Sequence, residues 1–167
     1  MQAAAKILTI AFLLCVPLLN GCEEQTAQTP CDGLAKKLEV SREEYLPCAG
    51  RIIAAMDRLL PQLEAVRAGD KNAGSQARKT FAELRRLMDQ AGLAKIDLSG
   101  KTEPLSDRWV DDPLVIHFNK LVFDAYIRCR PGAHPRDIQE GKKYHEKASM
   151  LLRSLQAGER RMPPGVD

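Results

Sequence analysis

Apolar residues recur at three-and-four spacing through four separate stretches of this chain, and no stretch alternates as a half-buried strand would. The longest stretch carries Tyr45, Ala49, Ile52, Ile53, Met56, Leu59, Leu60, Leu63 and Val66 along one stripe. Ser41 followed by Glu44 is a capping box that opens it. Pro47 lies close enough to that start to be harmless, whereas Pro61 is expected to bend or break the helix near Leu60. After a turn at Ala68-Gly69-Asp70, a stretch from about Ser75 to Ala91 places Ala77, Phe81, Leu84, Leu87 and Met88 inward, and Gly92 stops it. Asp112-Pro113, a cap and a first-turn proline, opens another with Leu114, Phe118, Leu121, Val122, Ala125 and Cys129 inward. Arg130-Pro131-Gly132 ends it. The last runs from about Arg136 to Ala157 and turns Ile138, Gly141, Tyr144, Ala148, Leu151, Leu152 and Leu155 to the core.

Two weaker features complete the pattern. Thr29-Pro30-Cys31-Asp32 reads as the start of a short helix ending near Glu39, and residues 93–111 form a long connection with little periodicity. Four apolar stripes bury one another most simply as a bundle, so the expected fold is all-α: four main helices plus a short N-terminal one. The long connection then joins the third and fourth helices, counting the short one as the first. Short loops make each flanking pair antiparallel, while the long connection has the length of a crossover.

Composition narrows this reading. The 167 residues allow one domain, and only 5% are aromatic, so Leu, Ala, Ile and Met supply the packing volume. A net charge of +3, with Lys and Arg interleaved among Asp and Glu, offers no nucleic-acid surface.

The N-terminus follows a different logic. Met1 to Lys6 carries one positive charge, and Ile7 to Leu19 is uncharged but too short to span a bilayer. That is the form of a secretory signal. Leu19-Asn20-Gly21-Cys22 resembles the lipobox of bacterial lipoproteins, with Leu19, Gly21 and Cys22 in the matching positions. The resemblance implies cleavage before Cys22 and lipid on its sulfur, which anchors the chain in the membrane without any spanning helix. Glu23 in the next position resembles a signal for the outer membrane. On this reading residues 1–21 are signal peptide, 22–29 a lipidated cysteine and tether, 30–158 the helical domain and 159–167 a frayed tail.

Removal of Cys15 and lipidation of Cys22 leave Cys31, Cys48 and Cys129. Outside the cytoplasm pairing is expected. In an up-down bundle Cys48 and Cys129 fall at opposite ends, which favours Cys31–Cys48, a closure contributing about 3 kcal/mol on the chain-entropy model. A crossover that reversed the fourth helix would instead bring Cys48 to Cys129. The leftover Cys129 is expected to be a buried thiol, with an intermolecular disulfide as the alternative.

Candidate chemistry is sparse. His117 and His145 lie beside apolar stripes on separate helices and, with Asp124 or Glu146, suggest a metal site, but no metal-binding spacing is present. Edge-of-core histidines are the simpler reading. The basic pairs Arg85-Arg86 and Lys142-Lys143 read as solvated faces. Neither a nucleophile elbow nor a phosphate loop occurs, and no cofactor is implied. Trp109, alone among charges in KTEPLSDRWVDD, is either clamped over the bundle end or exposed as a contact anchor. The sequence therefore points to a lipid-anchored periplasmic interaction or accessory protein of the envelope, with a protein partner. Its alternatives are a metal-assisted hydrolase using His117 and His145, or a small-ligand carrier.

Overall fold

A computed structural model describes residues 29–93 and 112–166; Cys22 and Trp109 lie outside them. The described chain is helical, with no strand among the described residues: α1 Arg42–Arg67, α2 Ala73–Gln90, α3 Pro113–Arg128 and α4 Pro135–Gln156. Ahead of α1, the expected short helix is reduced to a turn and a 3-10 helix, Leu34–Lys36. Gly33 precedes it at φ 79°, which breaks continuity with the turn at Cys31.

The capping box at the start of α1 is complete. Ser41 Oγ accepts the Glu44 N–H at 3.3 Å, and the Glu44 carboxylate accepts the Ser41 N–H at 3.1 Å. Contrary to expectation, α1 runs through Pro61 without a break. Proline costs the Asp57 carbonyl its partner, but Pro61 is exposed while Leu59, Leu60 and Leu63 around it are buried, so packing holds both sides of the missing bond. The buried stripe ends at Leu63; Val66 is 40% exposed rather than inward. At the end of α2, Leu93 N–H donates to the Met88 carbonyl and Gly92 N–H to that of Asp89, with Gly92 at φ 76°. Such a closing loop needs the left-handed residue that glycine supplies.

The chain forms two antiparallel hairpins, α1–α2 and α3–α4, joined mainly through α1 and α4. Side chains fix the directions. Arg42 at the start of α1 grips Asp112 at the start of α3, and Tyr45 Oη donates to Asn119 Oδ1 at 2.6 Å, so α1 and α3 run parallel. Glu64 near the end of α1 pairs with Lys142 near the start of α4, so these two run opposite ways. The topology is up-down-up-down. Residues 93 and 112 therefore lie at the same end of the bundle, and the fourth helix is not reversed.

The core centres on Tyr45, Ile52, Met56, Leu59, Leu84, Met88, Phe118, Leu151 and Leu155, all buried. Tyr45 meets Phe118 edge-on at 6.1 Å, and Phe81 stacks on Tyr126 at 5.2 Å between α2 and α3. Tyr144 is partly buried, under the Arg128 guanidinium at 4.8 Å. The α3–α4 contact is closest at Gly141, where a Cβ would stand 2.3 Å from Cys129 Sγ.

The segment after α4, expected to fray, packs back on the bundle. Val166 is fully buried, Met162 is packed against the core, and His117 Nε2 lies 3.2 Å from the Val166 carbonyl oxygen. Two apolar side chains and one polar contact anchor it.

Candidate functional site

Two places on the bundle gather polar chemistry: the end where residue 29 enters the fold, and a groove between α1 and α4. At the first, Cys31 is disulfide-bonded to Cys48 in the second turn of α1, and both are buried. Thr29 Oγ1 donates to Gln90 Oε1 at 3.1 Å, and Gln90 Nε2 donates to the Asp32 carboxylate. Asp32 in turn accepts the Thr29 N–H. The disulfide ties this entry turn to α1 and Gln90 ties it to the end of α2, while Leu34 and Val40 sink into the core behind it.

The same end carries a well-shielded ion pair between helix starts. Arg42 Nε and Nη2 lie 2.6 and 2.9 Å from the two Asp112 carboxylate oxygens, and Nη1 donates to the Glu159 carbonyl just past α4. Partial burial works against the Asp112 charge. Hydrogen bonds from Arg42 and from the Val115 N–H outweigh that, holding the carboxyl below its ordinary range. Arg42 thus collects the starts of α1 and α3 and the chain leaving α4. Nothing in the sequence pairs Arg42 with Asp112, because the link spans 70 residues and depends on α1 and α3 being parallel.

In the groove, about 500 Å³ in volume, Ile53 and Leu152 line a surface edged by Asp57, His145, Glu146, Ser149 and Arg153. His145 is buried, with Nε2 at 3.0 Å from Asp57 Oδ1 and at 3.4 Å from Ser149 Oγ. Burial lowers the His145 pKa below its ordinary value, even though Asp57 and Glu146 both favour the charged ring. A neutral ring donates its Nε2–H to Asp57. Serine activation requires the acid on one ring nitrogen and the serine on the other. Here both converge on Nε2, so the trio cross-links α4 to α1 and does not make a nucleophile of Ser149.

The remaining sequence candidates separate. His117 addresses the C-terminal segment, whereas His145 addresses α1, and the two share no hydrogen-bond partner. Among the described residues, no three or more His, Cys, Asp or Glu side chains are placed to hold a metal. Cys129 is free and fully buried, and burial pushes its thiol up to about 11, which makes it inert at neutral pH. Lys142 is paired with Glu64 and Lys143 with Glu140, while Arg85 and Arg86 are exposed. No described helix is long and apolar enough to cross a membrane. No protein-family model, curated protein or solved structure matches the chain.

Proposed function

We propose that this chain is a lipid-anchored helical module of the bacterial envelope, held at the membrane by Cys22, facing the periplasm and acting by contact with a partner protein. One observation supports this most: the Cys31–Cys48 disulfide braces the fold where the tether joins it. A buried disulfide suits an oxidising compartment, and its position transfers load from the anchor directly into α1. The outer membrane is the destination that Glu23 suggests. The convergence of Asp57 and Ser149 on one nitrogen of His145 favours a structural role for that trio over hydrolysis.

Affinity capture tests the contact role. The lipidated protein, solubilised from membranes, should retain one stoichiometric envelope protein, and Trp109→Ala should lose it. The second reading, metal-assisted hydrolysis using His117 and His145, makes the opposite forecast. Stoichiometric zinc or iron in the purified protein, lost in His117→Ala or His145→Ala, would displace the contact role.

A further inference from the structure

The two ends of the bundle differ in charge, and the difference is invisible until the topology is known. At the end opposite residue 29, the α1–α2 turn and the α3–α4 turn come together, as the Glu64–Lys142 pair shows. Arg67, Lys71, Arg130 and Arg136 are exposed there, and none makes an ion pair among the described residues. The acids of these turns are Asp70 and Asp137. Asp70 Oδ1 accepts the N–H groups of Asn72 and Ala73 at the start of α2, and Asp137 occupies the first turn of α4. Glu140, one turn further along α4, is paired with Lys143, and Arg136 lies near it as well. At the entry end, by contrast, Lys37 is paired with Glu44 and Arg42 with Asp112, and Glu39 and Glu43 are exposed among the remaining cations.

The N-terminal chain joins the described residues at residue 29, at the mixed-charge end. From Cys22 to Cys31 it reaches at most about 30 Å. Resting on the anchored reading above, this keeps the entry end near the bilayer. The 26-residue α1 separates the basic end from the entry end by roughly 39 Å. A cationic surface pointed away from its own membrane has one fixed, extended polyanion to meet in the periplasm, the cell-wall polymer, whose peptide stems carry free carboxylates. We infer that the membrane-distal end, through Arg67, Lys71, Arg130 and Arg136, docks on carboxylates of the peptidoglycan. Side chains on two separate turns suit a flexible polymer, because simultaneous weak contacts add through effective concentration.

Co-sedimentation of the full-length, detergent-solubilised protein with purified peptidoglycan sacculi tests this, with anionic vesicles of phosphatidylglycerol as a parallel arm. The wild-type protein should pellet with sacculi and be released as salt rises past the range where exposed charges are screened. Arg67→Glu/Arg130→Glu/Arg136→Glu should weaken sacculus binding by about tenfold or more. Lys36→Glu/Arg160→Glu/Arg161→Glu, at the entry end, should bind as wild type. Circular dichroism of both variants separates lost docking from lost folding, and sacculi with amidated stem carboxylates should bind neither wild type nor variants. Equal loss in the two triple variants, no binding to sacculi, or stronger binding to vesicles through the distal residues would overturn the inference. The assay does not use the anchor, so an unlipidated Cys22 would defeat the anchored reading and leave this result standing on its own.

Discussion

Replacing Cys31 and Cys48 together by alanine is expected to destabilise the domain by about 3 kcal/mol, the loop-closure value for a separation of 17 residues. For a domain of this size that lowers the midpoint of thermal unfolding by about 10 °C. The effect should also be local. Residues 29–40 contain only a three-residue 3-10 helix, and without the disulfide they depend on Leu34, Val40 and the Gln90 bridge. Trypsin should then cut at the exposed Lys36 and Lys37 well before it cuts within α1 to α4. Scanning calorimetry and limited proteolysis together check this. An unchanged midpoint, or cleavage spread evenly over the helices, would show that the entry turn does not depend on the disulfide. If Cys22 carries the proposed lipid, releasing the turn also lengthens the tether beyond residues 22–29 and lets the domain stand further from the membrane.

Gly141→Ala should cost about 2 kcal/mol despite adding a single methyl group to a good helix former. The new Cβ would meet Cys129 Sγ at 2.3 Å, Arg128 Cβ at 3.1 Å and the Ala125 carbonyl oxygen at 3.4 Å. The helix propensity gain of about 1 kcal/mol is outweighed by overpacking at this seam. Removing the sulfur with Cys129→Ala in the same chain should recover most of the loss, since only the two softer contacts remain. Denaturant unfolding of the two single variants and the double variant gives a coupling energy that should exceed about 1 kcal/mol in the rescuing direction. Additive effects would mean that Gly141 and Cys129 do not share one tight contact. The same cycle assigns Cys129 its role, as the side chain that fills the space a glycine leaves between α3 and α4.

Local signals carried much of the fold. Ser41 and Glu44 state a helix start in their spacing, Asp112-Pro113 states another, and the expected up-down order is what placed Cys31 rather than Cys129 beside Cys48. Elsewhere tertiary packing overrides a local rule. Pro61 marks a break by its chemistry, but buried leucines on both sides keep α1 continuous. Val166 sits in a segment of Pro and Gly with no period to reveal it, and only its packing into the core cluster shows its burial. The polar network was less legible than the core. Asp57 with His145, Arg42 with Asp112, and Asp32 with Gln90 are each distant in sequence, and each depends on helix directions that composition does not encode. Of the two basic pairs visible in the sequence, Arg85 and Arg86 are exposed, as solvated residues should be. Lys142 and Lys143 pair with Glu64 and Glu140, and the first of these links depends on α1 and α4 running in opposite directions.

Attachment to the membrane through Cys22 is the central proposal for this protein. Mass spectrometry of the N-terminal peptide of the protein made in its own cell tests that claim most directly. The predicted result is a mature chain beginning at Cys22 with a diacylglyceryl group on the sulfur and a further acyl chain on the amine. A peptide that retains residues before Cys22, or one that begins at Cys22 with a free thiol, would contradict it.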